Sequence, residues 1–449
     1  MPQNFDMILK GGTVIDHSGE NARDIAITGG KIAEIGDLFH AGAGETIDAT
    51  GLHILPGVID TQVHFREPGA THKEDLETGS RAAALGGVTA VFEMPNTDPP
   101  TTSAAALAGK MARAKGRMHC DFAFWIGGTA DNWRDIPELE RLPGAAGIKV
   151  FMGSSTGSLL VADDTGIAAI LGQTRRRAAF HSEDEFRLNE RKDLRVPNDP
   201  SSHPIWRDAT VALRATGRLL RIAWEQRALI HVLHVSCGEE MDLLAAHKDI
   251  ASVEVTPHHL TLDARDYARL GTRLQMNPPV RDARHRERLW FGVAQGIADI
   301  LGSDHAPHTL EEKARPYPQS PSGMPGVQTL VPVMLDHVNK GRLSLMRFVD
   351  MTSAGPARLF GTAGKGRIAA GYDADFTVVD LKRRGRIENR WIASRCGWTP
   401  YDGMEVLGWP VGTIIRGQRV MWEGELVTPA RGQAVRFHQA LLMAATSRS

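Results

Sequence analysis

Strand-like and helix-like segments alternate through the middle of this chain, and that alternation limits it to few folds. Eight short, mostly apolar runs read as strands, at 58–63, 89–93, 122–126, 147–151, 178–181, 229–234, 252–256 and 297–301. Helix-like stretches separate most of them, as at 73–85, 101–114, 208–226 and 239–248. Such βα units read most simply as a closed (β/α)8 barrel, whose chemistry sits at the C-terminal ends of its strands. The two chain ends read differently, as short strands parted by glycine turns. Met7-Ile-Leu-Lys, Thr13-Val-Ile-Asp and Asp24-Ile-Ala-Ile-Thr lie at one end, with Ala374-Asp-Phe-Thr-Val-Val-Asp380 and Thr413-Ile-Ile-Arg-Gly417 at the other. Each end alone has few strands with which to close a core. The expected architecture is therefore α/β: a TIM-type barrel over 56–360 and a small β-sandwich domain. That domain would be built from 1–55 and from 361–449, the latter including a tail.

Composition removes several function classes. Basic and acidic residues nearly balance, 52 against 53, so nothing electrostatic favours a nucleic acid or a membrane surface as partner. Cys120, Cys237 and Cys396 lie far apart with no CxxC spacing, which fits a reducing compartment. The N-terminal residues do not read as a signal peptide, and no apolar run is long enough to span a bilayer. The expectation is a cytoplasmic protein acting on a small molecule.

Candidate chemical residues fall at the strand ends. Asp60-Thr-Gln-Val-His-Phe-Arg-Glu-Pro-Gly69 ends the first strand and puts an imidazole, His64, close to a guanidinium, Arg66. That pairing suits an anionic substrate held beside a metal. Taken singly, His64 reads equally well as a buried histidine bonded to a carbonyl. Lys149 lies mid-strand among apolar residues, where a buried ammonium is costly unless it has a carboxylate or a snorkelling stem. His181 ends the fifth strand, and a plain structural role is again an even alternative. His234 follows His231 by three residues, so in a strand only one of the two can face the mouth. Asp304 follows the eighth strand, where an isolated aspartate is usually a turn or cap residue. Asn96 in Met94-Pro-Asn-Thr97 offers an amide near Arg66, and Asn277 reads equally well as a turn residue before Pro278-Pro279. The conjunction outweighs the single readings. Nitrogen, oxygen and lysine groups at the ends of strands one, four, five, six and eight would converge on one mouth.

These motifs strongly resemble the binuclear metal centre of the amidohydrolase superfamily, in its dihydroorotase-like form. One departure stands out, since Gln62 occupies the place of the first histidine in the usual Asp-x-His-x-His motif. The resemblance implies metal ligation by His64, Lys149, His181, His234 and Asp304, with Gln62 as a further candidate. It implies that Lys149 is carboxylated by carbon dioxide to a bridging carbamate. Zinc suits such a ligand mixture, and the resemblance implies two ions with one position weakened by Gln62. Asp304 would be the catalytic proton carrier, and Arg66, Asn96, Asn277 and His308 would bind substrate. Glu254-Val-Thr-Pro-His-His-Leu260, Gly153-Ser-Ser-Thr-Gly157 and Gly323-Met-Pro-Gly326 also fit the family pattern. Of His258 and His259, one is expected to be structural and one to face the site, while Glu183 reads as a supporting or solvated group. The implied reaction is reversible interconversion of dihydroorotate and N-carbamoyl-aspartate, in pyrimidine biosynthesis. Arg66 argues for that over hydantoin, dihydropyrimidine or allantoin, whose neutral rings lack a carboxylate. Gln62 also admits an inactive scaffold that partners aspartate transcarbamoylase. A homo-oligomer, dimer or tetramer, is the further expectation.

Overall fold

The computed structural model describes residues 4–439 except 156. Eight parallel strands stand in sequence order: β1 (Val58–Val63), β2 (Val88–Glu93), β3 (Asp121–Gly127), β4 (Ala145–Phe151), β5 (Ala178–His181), β6 (Ile230–Val232), β7 (Ala251–Val255) and β8 (Ile300–Leu301). All their residues are buried, as expected for strands covered on both faces. A parallel bridge between Val63 and His305 joins the last strand back to the first and closes the barrel.

The helices begin where the sequence supplies caps. Asp75 accepts from the Thr78 amide at the start of α1 (Leu76–Leu85), and Ser103 caps α2 (Ala104–Ala114) in the same way. Asp163 caps α3 (Asp164–Gln173) and Asp208 caps α4 (Ala209–Gln226). Such a cap contributes about 1 kcal/mol. Helix α4 buries Val211, Ala212, Ala215, Leu219, Leu220, Ile222 and Ala223, a stripe at helical spacing that packs on the barrel wall.

Both chain ends contribute to the β-rich part. A seven-stranded sheet joins Thr13–Asp16, Gly19–Ala22 and His53–Pro56 to Phe376–Arg386, Glu405–Ile415, Gln418–Trp422 and Glu425–Leu426. Its seam pairs Ile54 with Val378. A four-stranded sheet from Asn4–Lys10, Asp24–Thr28, Lys31–Gly36 and Gly42–Asp48 packs against it, with Leu9, Ile25, Ile54, Phe376 and Ile414 sharing one core.

Two strands are shorter than the expected ranges. The sixth strand stops at Val232, and Asp299 precedes a last strand of only Ile300 and Leu301. The reason at the sixth strand is conformational. His234 has φ +38°, outside the extended region, so the alternation argument does not reach it. His231 instead lies lower in the barrel, its ring 5.3 Å from that of Phe360. Phe360 packs edge-on against Phe92 and Trp125, and with Phe437 it fills the barrel interior below the polar mouth.

Candidate metal centre

At the C-terminal mouth, one cavity is walled by Gln62, His64, Arg66, Asn96, Lys149, His181, His234, Asn277 and Asp304, with Ser322 and Gly323 from a later loop. Arg66, His234 and Asp304 all adopt left-handed backbone, with φ of +60°, +38° and +45°. Non-glycine residues in that region cost of order 1–3 kcal/mol each and concentrate at functional sites.

Lys149 is 1% exposed, and its Nζ has no hydrogen-bond partner among the described residues. It neither snorkels nor meets a carboxylate, and its closest aromatic neighbour is the Phe151 ring at 4.5 Å. Burial pushes its pKa down to about 7, against the pull of Asp304 and Glu254. A sizeable fraction of this amine is therefore neutral and nucleophilic near neutral pH.

On the wall of the same cavity, His181 Nδ1 and His234 Nε2 stand 3.1 Å apart. Glu183 accepts from His181 Nε2 at 2.9 Å, which fixes the tautomer and leaves Nδ1 with a lone pair. Burial keeps both imidazoles below the usual histidine range. Glu183 is itself held by Arg207, whose NH2 donates at 2.5 Å. Burial opposes ionisation of this carboxyl, but Arg207 and His181 outweigh it and hold it well below the usual carboxylate range. His234 Nδ1 has no partner.

His64 Nδ1 donates to Asn96 Oδ1 at 2.8 Å, which turns the lone pair of Nε2 towards Asp304 Oδ1 at 3.2 Å. Burial lifts the Asp304 carboxyl to about 7 and keeps His64 neutral. Two acceptors facing each other at this distance require a proton or a cation between them. Gln62 Nε2 donates to the same Asp304 oxygen at 3.1 Å, while its Oε1 is buried without a partner. Tetrahedral zinc ligands at 2.0–2.1 Å stand roughly 3.3 Å apart, close to both donor pairs. The donor atoms thus fit metal ions. Among the described residues no three His, Cys, Asp or Glu side chains form a cage by themselves. The reason is chemical, since the remaining donors are a lysine and an amide.

Arg66, 4% exposed, donates through Nε to the Pro307 carbonyl at 3.3 Å. Among the described residues no carboxylate closes an ion pair with it, and burial lowers its pKa to about 10. His308 stands behind Arg66 and off the cavity wall, its Nε2 donating to Ser322 O at 3.0 Å and its Nδ1 accepting from Lys73 at 3.1 Å. Asn277 lines the cavity and accepts from His203 Nε2 at 2.9 Å. Neither His258 nor His259 lines it. His259 bridges Thr256 Oγ1 and Pro278 O, and His258 Nε2 is buried without a partner. Thr156, within the Gly153 to Gly157 stretch, lies outside the described residues.

Sequence reasoning missed Arg207 and His203. Both lie between strands five and six, in a stretch whose spacing carries no metal-type signal. It also missed Glu254 as an individual. That buried carboxyl accepts from Thr61 Oγ1 at 3.2 Å and from the His234 amide at 3.3 Å, bracing the floor of the site.

A closed parallel barrel with imidazoles, a lysine and a carboxylate at or near its strand ends presents a donor set that can hold metal ions. Comparison with known proteins agrees. The amidohydrolase family matches residues 208–420, and the dihydro-orotase-like family matches 51–121. A dihydroorotase from Halobacterium salinarum is 39% identical over 424 residues, covering 92% of this chain and 96% of the relative. An allantoinase from Rubrobacter xylanophilus is 36% identical over 446 residues, covering 96% and 98%. The solved L-hydantoinase from Arthrobacter aurescens superposes with a TM-score of 0.93 at 32% identity, over 96% of this chain and all of that one. The chain belongs to the amidohydrolase family, in its dihydroorotase-like branch. It is a hydrolase acting on cyclic amides.

Proposed function

We propose that the protein is a dihydroorotase, interconverting dihydroorotate and N-carbamoyl-aspartate in pyrimidine biosynthesis. The observation that carries this choice is Arg66, a buried guanidinium on the cavity wall without a carboxylate partner among the described residues. A buried cation without an ion pair is costly even with Asp304, Glu93, Glu312 and Glu74 acting on it through space, and a ring carboxylate offsets it where a neutral hydantoin or allantoin does not. Asn277 shares the wall and would present its amide to the ring. Asn96 holds His64 and lines the same cavity.

Two zinc ions are the proposed cofactors. Lys149, as a carbamate formed with carbon dioxide, would bridge them; His181 and His234 would hold one, and His64 and Asp304, with Gln62 beside them, the other. When bound, such ions supply a Lewis acid and acidify water from a pKa of about 16 to near 7. The rest is work for the chain. Asp304, lifted to about 7 by burial, is poised to accept the proton of the attacking water and deliver it to the departing ring nitrogen. Arg66 fixes the carboxylate end, so the ring cannot turn during that transfer. We further propose a cytoplasmic homo-oligomer, dimer or tetramer, able to associate with aspartate transcarbamoylase. Among the described residues no helix is long and apolar enough to cross a membrane.

A second reading, a hydantoinase- or allantoinase-type enzyme, draws on the likeness to the Arthrobacter hydantoinase and the Rubrobacter allantoinase. Parallel assays on dihydroorotate, hydantoin and allantoin decide between them. The proposal expects turnover of dihydroorotate above both others; preference for a neutral ring overturns it. A protein that binds no metal and turns over none of the three would be the inactive scaffold that Gln62 admits.

A further inference from the structure

The opposite, N-terminal face of the barrel carries a second cavity, of about 430 Å³. It opens where β4, β5 and β6 begin, beside Ala146, Arg177 and Leu229, so the depth of the barrel separates it from the metal centre. Four arginines line it, Arg175, Arg176, Arg177 and Arg358, and no aspartate or glutamate does. Three of them are consecutive in sequence.

Backbone capping explains part of this. Arg176 NH1 donates to Glu140 O and Ala145 O, each at 2.8 Å, and its guanidinium lies 4.4 Å over the Phe437 ring. Arg177 NH1 donates to Ile230 O at 2.6 Å and Ile250 O at 3.2 Å. Carbonyls satisfy hydrogen bonds but leave the positive charge standing. Burial lowers Arg176 to about 10, with only Glu140 offsetting it. Glu140 spends its carboxylate oxygens on the Arg175 and Arg176 amides. Arg358 has a 3.4 Å contact to Asp350, and Arg175 makes no ion pair among the described residues.

We propose that this floor cavity binds a small organic phosphate monoester. The dianionic head would meet the arginines, whose planar forks suit phosphate oxygens, and the organic body would lie on Leu229 and Leu359. The size supports a body as well as a head. Ligand pockets run roughly 300–1,000 Å³, far more than a bare phosphate fills.

Calorimetry on the metal-loaded protein tests this with phenyl phosphate and, separately, inorganic phosphate. Phenyl phosphate should bind at least about tenfold more tightly than inorganic phosphate, and more weakly as salt rises. The double variant Arg175→Gln/Arg358→Gln should weaken it about tenfold or more, since charge-assisted contacts to both are lost. Both side chains are exposed, so an unchanged melting curve should accompany that loss. Arg66→Met should leave the binding intact, which separates this cavity from the catalytic one. Absence of binding, equal affinity for the two phosphates, binding that survives the double variant, or binding lost with Arg66→Met would each overturn the proposal.

Discussion

The two donor pairs of the candidate metal centre, His181 with His234 and His64 with Asp304, are supported differently. His181 and His234 stand on a buried chain of charge, Arg207 to Glu183 to His181, that sets one ring's tautomer and orientation. His64 and Asp304 have a neutral amide on each flank, Asn96 behind the imidazole and Gln62 beside the carboxylate. An amide oxygen is a weaker ligand for zinc than imidazole. A carboxylate bonded to a ligating histidine, by contrast, raises its basicity and fixes its aim. On the proposed ligand assignment, the mouth would therefore hold one metal position more strongly than the other.

Several substitutions would break or sharpen that contrast. Asp304→Asn should reduce turnover most, by ~10²–10⁴-fold, because the amide cannot carry a proton. Retained metal in that variant would show that the loss is chemical, and near-normal rates would remove Asp304 from the reaction. Arg66→Met should come next, impairing dihydroorotate far more than a neutral cyclic amide, with Lys a poor substitute at this bidentate position. Equal losses on both substrates would make Arg66 structural. Glu183→Gln should weaken the His181 side by ~10–100-fold in metal affinity, as loss of a ligand's hydrogen-bond partner does. If metal retention is unchanged, the Arg207 chain supports folding alone. Gln62→His should have the smallest effect on rate, tightening the weak position without changing substrate preference.

The barrel and the shared β domain were legible because their signals are local. Apolar runs alternate with capped helices, and glycine turns punctuate the ends. That the candidate ligands would share one mouth was legible because they fall at or near the ends of strands one, four, five, six and eight. What the sequence hid is what three-dimensional closure creates. Arg207 meets Glu183 across 24 residues, and nothing in Trp206-Arg207-Asp208 marks it as support for a metal ligand. His234 escaped the strand alternation because its left-handed backbone turns it out of β6. Asn96 looked like a substrate group, and packing turns its oxygen to His64 instead. His308 likewise stands behind Arg66, held by Lys73 and the Ser322 carbonyl.

The most direct test of unequal metal positions is metal content followed during dialysis of the wild type and of Gln62→His against a mild chelator. The wild type should lose one equivalent well before the other, and Gln62→His should delay that first loss towards the second. Both ions leaving the wild type together with a single affinity would contradict this account, as would a wild type that binds no metal while Gln62→His alone gains metal and activity.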